Sequence, residues 1–176
     1  MTTGLFSLDA REQSWPLDKP FCIARGSRTE ARVVVVTVSD GQHAGRGEAV
    51  PLARYGQSAA SVLAQIESLK STPRLDRQQI QKLLPAGAAR NALDCALWDL
   101  EAKVSGKRAW ELANIQIVHE VQTAFTISLD TPAKMAATAK ANKTAPALKV
   151  KLGGDNLDLP RAEAVRGAAP AARPAC

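Results

Sequence analysis

Apolar and polar positions alternate through much of the first fifty residues. Arg32–Ser39 is a β-branched run, Asp40 and Gly41 give a hairpin-turn signal, and Ala44–Val50 can return as the partner strand. Before this hairpin, Trp15–Arg28 is rich in proline and charge. There we expect an exposed, irregular loop between two strands. The pattern therefore predicts an antiparallel β-meander at the start of the chain.

The apolar spacing becomes helical over residues 58–105. One predicted helix takes Ser58 or Ser61 as its N-cap, and its apolar stripe is Val62, Leu63, Ile66 and Leu69. Asp76 and Gln79 have the spacing of a capping box ahead of a second helix. A longer helix should stop at Gly106, because glycine is typical of helix ends. Its apolar positions are Ala89, Leu93, Ala96, Leu97, Leu100 and Val104.

From residue 121 the pattern becomes strand, helix, strand. Val121–Ser128 alternates, Thr131 and Pro132 suit an N-cap and first helical position, and Ala147–Leu152 is a second strand. Alternating strands and helices are typical of parallel β/α architecture. The end of the chain, Ala164–Cys176, shows no usable periodicity. Its Ala, Pro and Arg bias is typical of a disordered tail or of out-of-frame translation of a GC-rich gene.

Composition places the chain among soluble globular proteins. Of its 176 residues, 45% are apolar and 23% are charged. The longest strongly apolar stretch is Val33–Val38, far below the ~20 residues of a membrane span, and Met1–Leu8 lacks the pattern of a secretory signal. The three cysteines are too scattered for a disulfide framework or a zinc site: Cys22, Cys95 and Cys176. We therefore predict a cytoplasmic protein with no membrane partner.

The net charge of +6 is distributed unevenly. Residues 1–101 carry 12 basic and 11 acidic side chains, whereas residues 102–176 carry 11 and 6. A nucleic-acid binder needs a basic cluster on one face and benefits from stacking rings. These lysines are scattered and aromatics make up only 4% of the chain, so we expect no nucleic-acid partner. The excess of positive charge in residues 102–176 has two interpretations. Either it forms a solvated basic surface, or the acidic counterpart of a charged site is missing from this chain.

Lys149 and Lys151 are the sharpest chemical feature of the sequence. Side chains alternate along a strand, so these two ammonium groups share one face while apolar residues take the other. On an exposed face they would be only a solvated edge, which is the common role of strand lysines. Inside a barrel, each would favour the neutral form of the other, and a neutral lysine can act as a base.

Other candidate residues are weaker. Gly45 and Gly47 lie within a predicted hairpin and not between a strand and a helix, so a phosphate-binding loop is not expected. His43 and His119 are isolated and are expected at the surface. The carboxylates of the predicted long helix lie mostly on its polar face: Asp94, Asp99 and Glu101. The sequence contains no Ser/His/Asp order and no metal-binding histidine pair.

Taken together, several stretches resemble one family, although no single stretch would suffice. They are Trp15–Leu17, Lys19–Val36, Gly47–Pro51, Arg54–Gly56, Leu84–Leu100 and Leu148–Leu152. This combination resembles the enolase superfamily, in the mandelate racemase/muconate lactonizing enzyme group, and specifically its L-Ala-D/L-Glu epimerase (dipeptide epimerase) branch. The similarity covers roughly residues 1–166.

The resemblance implies an α+β capping domain, an antiparallel β-meander plus helices, followed by the first strands and helices of an incomplete TIM (β/α) barrel. The expected boundaries are residues 1–120 for the cap, 121–166 for the start of the barrel and 167–176 for a non-homologous, frameshifted tail. In the family, loops of the cap close over the barrel mouth and set substrate specificity. Here those loops look like Phe21–Arg28 and Pro51–Gln57.

The same resemblance implies a 1,1-proton transfer at the C-terminal residue of a dipeptide substrate, of the kind associated with murein peptide recycling. Lys151 would be one of two acid/base lysines, and Lys149 would hold or polarise the substrate carboxylate. Thr126 matches a substrate-contacting position, and Arg25 would bind the side-chain carboxylate of a Glu-containing dipeptide. In the family, Mg²⁺ stabilises the enediolate.

The chain departs from the family pattern in one large respect. The family's three acidic metal ligands and its opposing lysine lie on later barrel strands, and are expected beyond Cys176. A whole barrel needs ~250 residues. We therefore expect a truncated, inactive copy that does not bind Mg²⁺. Two other functions stay open: a non-catalytic cap-domain module that forms a homo-oligomer, and, ranked last, a basic nucleic-acid-binding domain.

Overall fold

The computed structural model describes residues 7–72 and 75–175. These residues fall in two compact units, one of the residues up to Trp15 with Ala31–Val118, and one of Pro16–Glu30 with the residues from His119 onward. The strands are β1 (Ser7–Ile23), β2 (Gly26–Ser39), β3 (Ala44–Ala49), β4 (Ala124–Ile127), β5 (Ala147–Val150) and β6 (Arg173–Ala175). The helices are α1 (Ala59–Glu67), α2 (Arg77–Leu83), α3 (Ala88–Ser105), α4 (Ala109–Leu112), α5 (Pro132–Ala141) and α6 (Asp158–Ala168).

The first unit contains β3, β1 up to Trp15 and β2 from Ala31, and helices cover one face of this sheet. The strand order is β1-β2-β3, and β2 pairs antiparallel with β3 from Val34 opposite Ala49 to Ser39 opposite Ala44. Val34, Val36 and Val38 face the helices and are fully buried, since alternate residues of a strand point to one face. The predicted meander and α+β cap are confirmed.

The glycines of β3 serve close packing between a strand and a helix. A Cβ atom at Gly45 would collide with the backbone carbonyl oxygen of Ala96, and one at Gly47 with that of Ala92. Both alanines lie on α3, which therefore rests directly on the β3 backbone. The Gly-x-Gly spacing is thus a packing feature, consistent with the expectation that it is no phosphate-binding loop.

The helix boundaries follow the capping chemistry read from the sequence. Ser58 caps α1 in a reciprocal capping box with Ser61, and Asp76 does the same for α2 with Gln79. At the end of α3, Gly106 adopts the left-handed conformation with φ 68°, which glycine reaches without strain. Within the described part of the chain, no helix is both long and apolar enough to cross a membrane.

The expected irregular loop at Trp15–Arg28 is wrong. β1 runs to Ile23 and β2 starts at Gly26, so this segment is a long hairpin arm that turns at residues 24 and 25. Prolines and charges suggested a loop, but β1 is an edge strand of its sheet. An edge strand tolerates Pro16 and Pro20, because residues four apart on a strand direct their nitrogens to the same side.

The second unit contains a parallel sheet of order β4-β5-β6 packed against α5 and α6. Its core holds Ile127, Met135, Ala139, Leu148, Val150, Val165, Ala169 and Ala172. β4 (Ala124–Ile127) is shorter than the predicted strand Val121–Ser128. Val121 lies outside it and is 89% exposed. The parallel β/α architecture is confirmed.

The structure differs from a disordered end over residues 164–175. There α6 continues to Ala168, and β6 pairs in parallel with β5, placing Arg173 opposite Ala147. Ala169 and Ala172 are buried between them. Alanine gives little hydrophobic contrast, so the sequence alone showed no periodicity here, and the structure depends on packing against the rest of the unit.

Candidate functional site

The ends of β4 and β5 bring three of the predicted site residues together. Thr126 lies opposite Lys149 in the parallel pairing, and residues so paired point to the same face. The Lys151 amide donates to the carbonyl of Ile127 at 3.1 Å, which extends the pairing beyond β5. Lys149 is exposed and Lys151 is half-buried. The two lysines and Thr126 therefore line one face of adjacent strands.

The opposite face of β5 is apolar and buried. Leu148 is 2% exposed and Val150 is 6% exposed, and both belong to the core of the second unit. A cavity of about 310 Å³ opens between these residues and α6. The burial of alternate residues fixes the register, so a one-residue slip would turn the lysines into the core.

The hairpin arm supplies a neighbour that the sequence analysis missed. The ring centroid of Phe21 lies 6.0 Å from Lys151 Nζ and 5.3 Å from the guanidinium carbon of Arg28. The carbonyl of Cys22 accepts the Leu129 amide at 3.1 Å, which ties the arm to the segment after β4. The sequence analysis named Phe21–Arg28 only as an expected specificity loop and identified no partner for the Phe21 ring.

Arg25 lies at the turn of this arm, and its side chain is exposed. It belongs to the same unit as the lysine pair, whereas the other expected specificity loop, Pro51–Gln57, belongs to the first unit. In that loop Ala53–Tyr55 form a single 3₁₀ turn, which Gly56 closes at φ 67°. The strands thus bring Lys149, Lys151 and Thr126 together, and the arm carries Arg25.

A second missed feature is a buried arginine behind the site. The Arg161 side chain is 7% exposed, pairs with Asp155 and Asp158, and donates from Nε to the Asp130 carbonyl at 2.9 Å. It therefore joins the loop after β5 to the loop after β4. A buried charge needs such complete pairing to be tolerated. The i,i+3 spacing of Asp158 and Arg161 was the available sequence signal.

Asp158 holds the chain that follows Lys151. Its carboxylate accepts the amides of Gly153 at 2.8 Å and Gly154 at 2.7 Å. The Gly153 amide keeps the pKa of the Asp158 carboxyl below its ordinary value, and the Gly154 amide and the Arg161 guanidinium act in the same direction. The same cation, together with the Leu157 amide, lowers the pKa of Asp155.

This arrangement predicts a pH dependence of the second unit. A lowered carboxyl pKa contributes stability above the unfolded value of ~3.9, and this contribution is lost as the pH falls through the folded value. The amide resonances of Gly153 and Gly154 should therefore titrate with a midpoint below ~3.9 in ¹H–¹⁵N spectra. Asp158→Asn should abolish that titration, and a midpoint at or above the ordinary value would contradict the assignment.

The other candidate residues have structural roles in the first unit. Asp99 accepts the Arg46 amide at 2.8 Å and pairs with Lys103, and Glu101 pairs with Arg77. The Arg77 guanidinium also lies 3.5 Å from the centroid of the Trp98 ring. These contacts join α3 to β3 and to α2, and so explain the polar face of the long helix.

Among the residues that the structure describes, no three His, Cys, Asp or Glu side chains come together as a metal ion would require. The carboxylates of Asp155 and Asp158 lie on the same side chain of Arg161, which neutralises them. The described residues therefore do not fit the Mg²⁺ that the resemblance implies.

Comparison with known proteins defines the class. Residues 6–113 match the family model described as mandelate racemase/muconate lactonizing enzyme, N-terminal domain. The chain belongs to this family, which confirms the resemblance drawn from the sequence. It is 49% identical over 165 residues to the L-Ala-D/L-Glu epimerase of Escherichia coli K12, covering 90% of this chain and 50% of that protein.

Solved structures agree with this assignment. An enolase family member from Agrobacterium tumefaciens with homology to dipeptide epimerases, solved with bound sodium and L-Ala-L-Glu, superposes with a TM-score of 0.90 at 47% identity. The match covers 96% of this chain and 52% of that one. A dipeptide epimerase from Cytophaga hutchinsonii, complexed with Mg and D-Ala-L-Val, gives 0.81 at 27% identity over 94% and 49%. The chain spans about half the length of the relatives it matches.

Proposed function

We propose that this chain forms the capping domain and the first barrel strands of a dipeptide epimerase, and that it carries one side of the catalytic site. The observation that carries the proposal is the pairing of Thr126 with Lys149, followed by Lys151, on adjacent parallel strands. Catalytic residues of barrel enzymes come from the C-terminal ends of such strands. The similarity to L-Ala-D/L-Glu epimerase supports the same reaction.

In this proposal Lys151 transfers the proton at the α-carbon of the dipeptide's C-terminal residue. Lys149 points to the same face and places a positive charge beside the carboxylate next to that carbon. Arg25, on the exposed turn of the arm, binds a side-chain carboxylate, and Thr126 contacts the substrate backbone. Several cations with an apolar strand face behind them suit an acidic dipeptide. A cytoplasmic location is part of the proposal.

We further propose that the 176 residues by themselves do not epimerise dipeptides. The relatives are about twice as long as this chain. The dipeptide epimerase from Cytophaga hutchinsonii was solved with Mg and a dipeptide, whereas the described residues of this chain do not fit that metal. The proposal thus separates the site that this chain contributes from the activity of a whole enzyme.

The test is α-proton exchange of L-Ala-L-Glu in D₂O with Mg²⁺, followed by ¹H NMR. The isolated chain should show no more α-proton exchange than buffer without protein. A chimera that joins residues 1–166 to the matching C-terminal half of the Escherichia coli relative should exchange and epimerise the dipeptide. Exchange by the isolated chain would contradict its inactivity. A folded chimera without exchange would contradict the assignment of the site.

The second candidate function is a non-catalytic module that associates with itself. It is favoured by the sheet β4-β5-β6, whose edge strands β4 and β6 each pair on one side in the described structure. Open strand edges are templates for pairing with another chain. Light scattering coupled to size exclusion should then show a dimer that survives dilution, whereas a monomer at every concentration would exclude it.

A further inference from the structure

The ring of Phe21 lies near the amine that the proposed reaction requires. Its centroid is 6.0 Å from Lys151 Nζ, at the outer limit of the ~6 Å range over which the negative face of an aromatic ring attracts a cation. Arg28 lies on the same ring at 5.3 Å. Arg28 is exposed, so water and salt screen the repulsion between its guanidinium and the Lys151 amine. The Phe21 ring itself is half-buried.

The backbone on both sides of this contact is fixed by the end of β4. The Leu129 amide donates to the carbonyl of Cys22, the residue after Phe21, at 3.1 Å. The Ile127 carbonyl accepts the amide of Lys151, also at 3.1 Å. The segment from Ile127 to Leu129 thus anchors the backbone next to Phe21 and the backbone of Lys151. The fold itself therefore keeps the ring and the amine close to each other.

We propose that Phe21 is a positioning residue that orients the Lys151 amine, with Arg28 holding the ring in place. This rests on the proposed function, in which Lys151 transfers the proton. A lysine side chain has four rotatable bonds, and a ring attracting its ammonium from one side favours the rotamers directed toward the strand ends. The hairpin arm then sets the geometry of the acid/base group as well as carrying Arg25, and orientation is a major part of catalytic efficiency.

The test measures the amine and does not need turnover. The chain is acetylated with a water-soluble N-hydroxysuccinimide ester, and fragment-ion mass spectrometry compares acetylation of Lys151 with that of Lys149. The reagent must reach the amine, so a ring lying against Lys151 should shield it from acetylation. Phe21→Leu should raise the Lys151-to-Lys149 ratio about two- to fivefold. Phe21→Tyr, which keeps a ring, should leave the ratio as in the wild type.

Phe125→Leu is the matched control. Phe125 lies on β4 in the same unit, opposite Leu148 and 41% exposed, and this variant should leave the ratio unchanged. An unchanged ratio in Phe21→Leu, or an equal rise in Phe125→Leu or Phe21→Tyr, would overturn the proposal. Circular dichroism verifies that each variant is folded.

A measurement on the wild-type chain keeps the proposal falsifiable if Phe21→Leu fails to fold. The ring current of Phe21 should move the ε-methylene protons of Lys151 upfield of those of Lys149, and equal shifts would overturn the proposal. Failure of the proposed function is recognised separately, since an inactive chimera can still show the protected amine, and an active chimera can lack it.

Discussion

Lys151→Gln in the chimera should lower the rate of epimerisation of L-Ala-L-Glu by about 10²- to 10⁴-fold, the usual contribution of a general acid/base group. Glutamine keeps a polar side chain, one bond shorter than that of lysine, but cannot accept and return a proton at this position. Lys151 is half-buried, and its backbone remains paired with Ile127. The fold should therefore survive, and the loss should appear in kcat.

The matched control is Lys140→Gln on α5 of the same unit, whose side chain is exposed. It removes the same charge and should change the rate less than twofold, since exposed charges away from a site contribute little. Stereochemical conversion is followed by ¹H NMR or polarimetry. If the two variants retained equal activity, Lys151 would not be the acid/base group.

Gly47→Ala should destabilise the first unit by about 3 kcal/mol or more, at the upper end of the cost of overpacking. The new Cβ would collide with the carbonyl oxygen of Ala92 and meet the amide nitrogen of Ala96. Both are backbone atoms inside α3, so neither can rotate aside as a side chain could. The helix must move away from the sheet, and the loss is a large fraction of the ~5–15 kcal/mol typical of a domain.

Urea unfolding followed by tryptophan fluorescence measures this effect, because Trp98 lies on α3. Glu48→Ala is the control, since Glu48 neighbours Gly47 on β3 but is exposed. Its free energy of unfolding should stay within about 0.5 kcal/mol of the wild type. A Gly47→Ala variant as stable as this control would show that α3 does not rest on the β3 backbone.

The sequence predicted the elements whose signals are local. The capping boxes of α1 and α2, the stop at Gly106 and the hairpin at Asp40 and Gly41 all involve residues within a few positions of one another. The same holds for Lys149 and Lys151, because strand alternation alone places them on one face. The family resemblance then suggested the proposed roles of these residues, which spacing could not.

The hairpin arm shows where local reasoning failed. Pro16, Pro20 and the charges around them are typical of a loop, yet the segment is extended because it pairs with β2 at the edge of a sheet. The same is true of β6, where alanines and prolines carried no periodic pattern but β5 provided a partner. In both cases pairing with another strand outweighed the local preference.

By itself, then, the sequence determined the strands and helices that carry local signals, the caps of α1 and α2, the end of α3, the lysine face of β5 and membership of the family. Only the tertiary structure decided which distant residues meet: Phe21 with Lys151, Arg161 with the loops after β4 and β5, and the β3 glycines with α3. Local preferences act over one or two turns of chain. Contacts between distant residues depend on how the elements pack, and no spacing along the chain encodes that packing directly.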